Sequence, residues 1–189
     1  VKIESLNTWF PGFGITSTKF QLQKILKQRY LEMEFHNKTL VVSGGSKGLG
    51  LAIVSHYLDR GCIVCTFARR GTKEIEQLRK RYLTQLHFES LDATDTHSTE
   101  GFVNRVMDKF GSIHGLVNNA AIGQDHLLAN IPIRKIDEII SVNLTAPVLL
   151  TRSIIRKMIL TANGGRIVNK TSICAVRGFV SRSTKLDRG

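Results

Sequence analysis

The sequence predicts an α/β protein built on a doubly wound parallel sheet, and three observations carry that reading. Apolar runs of four to six residues alternate with longer stretches of helical period, the pattern of βαβ units. A glycine-rich turn, Ser43-Gly44-Gly45-Ser46-Lys47-Gly48-Leu49-Gly50, follows the run Thr39-Leu40-Val41-Val42 and opens an amphipathic stretch. The 189 residues, 42% of them hydrophobic, suffice for one sizeable core.

The elements follow in order. Strands are predicted over 39–43, 62–66, 86–90, 115–118 and 166–169, where β-branched and aromatic residues cluster in short runs. Helices are predicted over 49–60, 73–82, 98–110 and 136–160, with Gly61 and Gly111 placed to close the first and third. Right-handed crossovers then give a sheet whose ligand crevice lies beyond the C-terminal ends of its strands. Residues 1–37 form a basic N-terminal arm, in which Leu22, Leu26 and Tyr30 recur at helical spacing among Lys19, Lys24, Lys27 and Arg29. A docked amphipathic helix is expected there, with a membrane-surface or organelle-targeting segment as the alternative.

The formal charge of +12 sits largely at the ends, with six Lys+Arg against three Asp+Glu in residues 1–38 and six against one in 161–189. Such a surface attracts polyanions. No aromatic interleaving or nucleic-acid motif accompanies it, so a solvated basic surface is expected and a nucleic-acid partner is not. No apolar run approaches the ~18 residues that would cross a bilayer, and a cytoplasmic protein is the default expectation. Cys62 and Cys65 lie three apart in a predicted strand and so point to opposite faces, which favours core cysteines over a redox or zinc pair. No metal site is expected.

The glycine turn carries the functional reading. Glycine tolerates positive φ and has no side chain to hold a ligand away, so main-chain amides and a helix N-terminus can approach a pyrophosphate there. Gly12 and Gly14 lack a preceding strand and a following helix and read as a loop. The spacing G-x-x-x-G-x-G resembles the T-G-x-x-x-G-x-G of the short-chain dehydrogenase/reductase family, with Ser43 in the threonine position. Further motifs follow in the family's order. Asp92 in Leu91-Asp92-Ala93-Thr94-Asp95 matches the acidic residue at the adenine ring, and Val117-Asn118-Asn119-Ala120-Ala121 matches N-N-A-G with alanine for the last glycine. Asn143 matches the active-site asparagine, and Ile167-Val168-Asn169-Lys170-Thr171-Ser172 matches the strand that ends in the catalytic serine. The resemblance covers 38–172 and implies a Rossmann-like dinucleotide-binding domain over 38–189.

That resemblance implies hydride transfer between a nicotinamide and a carbonyl or alcohol carbon. It places Ser43, Gly44, Ser46, Lys47, Gly48, Leu49, Gly50, Asp92, Asn119 and Ala120 at the cofactor, and gives Ser172 the task of polarising the carbonyl and Asn143 that of holding a water in the proton relay. At the end of the second strand Ala68 replaces the aspartate that would bind a ribose 2′-hydroxyl, and Arg69 and Arg70 follow. With Lys47 they favour the 2′-phosphate of NADP over NAD. The family's tyrosine, whose phenol exchanges the proton once a lysine has lowered its pKa, is missing. Its expected place falls at Lys185, and the only tyrosines are Tyr30, Tyr57 and Tyr82. A shifted alignment makes Lys185 the family lysine but puts Ser181 in the tyrosine's place, and serine is far too weak an acid to restore the relay.

The chain is therefore read as truncated after the fifth strand, with C-terminal strands missing and catalysis impaired; a naturally inactive dinucleotide-binding or interaction module is the alternative. Gln124-Asp125-His126-Leu127-Leu128 is similar to the R-D-x-L-L of 3-oxoacyl-carrier-protein reductases, enzymes of fatty acid metabolism, which suggests a small-molecule or acyl-thioester substrate. The complete family form is expected to be a homo-oligomer. His114 stands where the family often has aspartate, without a functional account at this level.

Overall fold

The computed structural model describes residues 35–123, 128–162 and 164–172. The helix expected over 18–33, the segment from Gln124 to Leu127, Cys174 and Lys185 lie outside the described residues. The chain divides into two units, Val1–His36 and Asn37–Gly189, and the sheet belongs to the second.

Five strands form this sheet: β1 (Thr39–Ser43), β2 (Ile63–Ala68), β3 (Leu86–Ser90), β4 (Gly115–Asn118) and β5 (Arg166–Asn169). They are hydrogen-bonded in the order β3-β2-β1-β4-β5, every pair parallel. β1 and β4 are buried along their whole length, as central strands covered on both faces must be. β2 runs two residues further than its apolar pattern indicates, because Phe67 and Ala68 find partners in Ser43 and in Glu89 and Ser90.

Five α-helices accompany the strands: α1 (Gly48–Leu58), α2 (Lys73–Arg81), α3 (Thr96–Phe110), α4 (Ile133–Ile140) and α5 (Ala146–Thr161). α3 begins two residues before the predicted start because Asp95 caps it, accepting from the amide of Ser98 at 3.0 Å and from its hydroxyl at 2.6 Å. Those bonds hold the Asp95 carboxyl below the usual carboxylate range. Gly111 ends α3 at φ 74°, its amide reaching the carbonyl of Met107 at 2.7 Å. The single long helix predicted over 136–160 is instead α4 and α5 joined by a π-helical segment, Ser141–Thr145.

One face of the sheet contributes Val41, Cys65, Phe67 and Leu116 to a core closed by Phe102, Val103 and Val106 of α3 and Leu150, Ile154 and Met158 of α5. The rings of Phe67 and Phe102 meet edge to face with centroids 5.1 Å apart. Alternation turns Val42 and Val64 to the opposite face, where α1 supplies Val54 and Leu58. Cys62 and Cys65 are buried, and desolvation pushes their thiols up to about 11 and about 12, so neither forms a thiolate near neutral pH. No metal-ligating cluster occurs among the described residues. His114 receives its account here, because its Nδ1 accepts from the amide of Thr39 at 3.1 Å and ties β4 to the start of β1.

Helix 133–161 is, among the described residues, the one run long and apolar enough to cross a bilayer by length and composition, which the sequence pattern had not indicated. Its buried residues Ala146, Leu150, Ile154 and Met158 recur every four positions, the stripe by which a layer helix packs against its neighbours.

Candidate functional site

All strands being parallel, the segments that follow them gather at one edge, and the order reverses between β1 and β4. Crossovers leave that edge in opposite directions at this point, opening a crevice. The turn after β1 stands there. Its backbone is fixed by Gly44, whose amide donates to the carbonyl of Phe67 at 2.8 Å. α1 then starts without a cap: Lys47 makes no side-chain cap bond and the first turn holds no acidic residue. The first backbone hydrogen bond at this end joins the Leu51 amide to the Lys47 carbonyl at 3.3 Å, so helix geometry provides no carbonyl for the amides of Gly48, Leu49 and Gly50. By contrast, α2 and α3 are capped by Thr72 and Asp95. An uncapped end with aligned dipoles and no nearby acid is where an anion is most favoured.

Two glycines shape this end by different means. Gly48 adopts φ +56° with open space where a Cβ would stand, whereas a Cβ on Gly50 would meet the Gly44 carbonyl oxygen at 2.1 Å. The helix can therefore enter tightly against the turn only with glycine at position 50.

Ser43 and Asn119 turn inward and bind the two central loops together. The Ser43 hydroxyl accepts from the amides of Asn119 and Ala120, both at 3.0 Å, and the Asn119 side-chain NH₂ donates to the carbonyls of Ser43 and Gly44, both at 3.1 Å. Both side chains are over nine-tenths buried. Asn118 donates to Thr151 at 2.9 Å and to Asn169 at 2.8 Å, tying β4 to α5 and β5. Oδ1 of Asn118 and of Asn119 have no partner among the described residues, leaving acceptor capacity buried beside the crevice.

Arg69 and Arg70 are exposed at the end of β2, and Ser46 is buried beneath exposed Lys47. Asp92, just past β3, accepts from the amide and hydroxyl of Thr94 at 2.9 and 2.8 Å through one oxygen, Oδ1. Glu138 of α4 is held below the usual carboxylate range by Lys135 at 2.5 Å, with smaller contributions from Arg69 and Arg134, so α4 lies within the field of Arg69.

Asn143 lies in the π-helical segment, and its side chain is committed to one residue: Oδ1 accepts from the Ile122 amide at 2.9 Å and Nδ2 donates to the Ile122 carbonyl at 2.8 Å. The side chain therefore grips the loop after β4. Leu49 and Ser172 are exposed, Ser172 three residues beyond β5. Tyr57 stands in the last turn of α1, and Tyr82, whose hydroxyl donates to Asp59, just after α2. Both therefore lie at the end of the sheet opposite the crevice. Inspection of motifs missed Thr72, Thr151 and Ile122; a threonine heading an amphipathic stretch marks Thr72 as a cap, but nothing local marks its second bond, to the Ser46 carbonyl.

A doubly wound sheet with an uncapped, glycine-lined helix start at its switch point defines a dinucleotide-type α/β domain. A sequence model of the short chain dehydrogenase family matches residues 38–184, and the chain belongs to that family. It is 34% identical over 156 residues to the 3-oxoacyl-[acyl-carrier-protein] reductase FabG of Chlamydia pneumoniae, covering 81% of this chain and 62% of that protein. It is 31% identical over 151 residues to the 3beta-hydroxysteroid dehydrogenase 2 of Eggerthella lenta, covering 75% of this chain and 56% of that one. Among solved structures it is similar to a short-chain dehydrogenase from Streptomyces avermitilis, at a TM-score of 0.72 and 28% identity, over 77% of this chain and 53% of the other. ElxO with NADP bound is similar at a TM-score of 0.70 and 30% identity, over 77% and 59%. The chain thus spans little more than half the length of the proteins it matches.

Proposed function

We propose that this chain is the dinucleotide-binding part of an NADP(H)-dependent oxidoreductase that reduces a carbonyl or oxidises the corresponding alcohol. The observation that carries the reading is the uncapped start of α1, with the amides of Gly48, Leu49 and Gly50 at the switch point and three cations, Lys47, Arg69 and Arg70, on the adjoining segments. The fit is physical. Free amides and a helix dipole suit a diphosphate, the guanidinium groups suit a 2′-phosphate by paired hydrogen bonds, and Gly48 leaves open space above the turn. The NADP bound by ElxO supports the same choice, with NAD second.

When bound, the nicotinamide supplies or accepts the hydride. The chain's own residues orient and exclude. Ser43 and Asn119 fix the turn, Asn143 holds Ile122 in place, and the Ser172 hydroxyl donates to the substrate's carbonyl oxygen. Among the described residues no phenol stands at the crevice to exchange the proton, since Tyr57 and Tyr82 lie at the opposite end of the sheet. The 189-residue polypeptide is therefore expected to bind the dinucleotide and turn over little or nothing. A 3-oxoacyl thioester is the substrate favoured by the Gln124–Leu128 motif and by the FabG relative; the hydroxysteroid relative keeps an alicyclic alcohol or ketone as the second choice.

Fluorescence titration of the full chain with NADPH and NADH tests this reading. Saturable binding with NADPH at least several-fold tighter is expected, and Arg69→Ala with Arg70→Ala should remove the preference. No saturable binding, or a preference indifferent to both arginines, would refute it.

A further inference from the structure

The connection from β2 to α2 is four residues long, Arg69-Arg70-Gly71-Thr72, and one hydroxyl anchors its far end to the glycine turn. Oγ1 of Thr72 donates to the carbonyl of Ser46 at 2.7 Å and accepts from the amide of Ile75 at 3.3 Å. A threonine hydroxyl has one hydrogen to give, and here it goes to the turn; the lone pair caps α2. At the near end the connection is held where the Leu91 amide meets the Ala68 carbonyl at 3.0 Å. The two arginines are thus suspended between a strand end and a tether to the turn that carries Lys47.

The tether does more than join two loops. The Ser46–Lys47 peptide is trans, so its carbonyl and amide point in opposite directions in one plane. With the carbonyl drawn to α2, the Lys47 amide is turned away from it, and the backbone that carries the exposed Lys47 side chain is held in place. Ser46 is 5% exposed, which leaves that peptide little freedom to rotate by other means.

We infer that Thr72 is a positioning residue for cofactor selectivity, holding Lys47 in register with Arg69 and Arg70 so that all three meet a ribose 2′-phosphate. The inference rests on the dinucleotide reading given above. It predicts an asymmetric effect. The diphosphate common to both cofactors is met chiefly by the amides of Gly48, Leu49 and Gly50, beyond the Ser46 carbonyl that Thr72 holds, whereas the 2′-phosphate needs two loops aligned at once.

Dissociation constants for NADPH and NADH are measured by fluorescence on wild type, Thr72→Val and Thr72→Ser. In the valine variant NADPH binding should weaken by about fivefold to tenfold, the scale of one net hydrogen bond, with NADH changed by less than about twofold. The serine variant keeps the donor and should retain the wild-type ratio. Should valine prevent folding, Thr72→Ala repeats the test with less bulk. Equal weakening toward both nucleotides would mean a cap and nothing more, and an unchanged ratio in the valine variant, or a lost one in the serine variant, would likewise overturn the inference. A wild-type protein with no NADPH preference would instead overturn the cofactor reading beneath it.

Discussion

Gly50→Ala probes whether α1 and the glycine turn are truly interlocked. A Cβ at position 50 would lie 2.1 Å from the Gly44 carbonyl oxygen and 2.5 Å from Nδ2 of Asn119. Neither atom can retreat easily. The Gly44 amide is bonded to Phe67 at 2.8 Å, and Asn119 is bonded to two carbonyls of the turn. Overpacking of this kind costs about 1–3 kcal/mol, and a backbone neighbour puts the cost at the upper end. Alanine recovers roughly 0.8–1 kcal/mol of helix propensity, so the net loss is about 2 kcal/mol. Gly101→Ala in α3 is the matched control. There a Cβ meets only the end of the half-exposed Arg105 side chain, at 3.1 Å, which need give by a few tenths of an ångström while keeping its pair with Glu89, so most of the propensity gain of up to about 1 kcal/mol should remain. For a chain of this size a kcal/mol moves Tm by about 2–4 °C, so thermal unfolding should place Gly50→Ala about 4–8 °C below wild type and Gly101→Ala up to about 4 °C above it. A Gly50→Ala protein that melts at or above the wild-type temperature would refute the interlock.

Phe102→Ala should remove about 3–5 kcal/mol, since the ring is fully buried against Phe67 and His87; a urea midpoint corresponding to a loss below about 1 kcal/mol would contradict the described core. His114 is held below its ordinary pKa by burial and, second, by Lys38, and its neutral Nδ1 accepts from Thr39. Its folded pKa being the lower one, its contribution is complete above about 6.5 and is lost as pH falls from there through the folded value. Urea unfolding from pH 8 to pH 5 should therefore show a decline that His114→Gln lessens, and equal declines in the two proteins would count against the assignment. Asn143→Leu leaves the Ile122 amide and carbonyl without their partners, so hydrogen exchange at Ile122 should quicken by about tenfold or more, and unchanged protection there would exclude the grip described for Asn143.

The sequence alone determined whatever depends on local pattern. The strand bounds 39–43, 86–90, 115–118 and 166–169 hold residue for residue, because short apolar runs closed by turns specify a strand without reference to a partner. The glycine turn was legible for the same reason, its meaning lying in strand, turn and helix within twenty residues. Tertiary structure decided the rest. The end of β2 was set by pairing with β1 and β3, and the π-helical segment, from which Asn143 reaches Ile122, leaves no mark on apolar periodicity. Ser43 and Asn119 join their two loops across 76 residues, and the Thr72 hydroxyl reaches Ser46 across 26. A hydrogen bond needs two groups within about 3 Å, and only the packing of the sheet brings such distant residues that close.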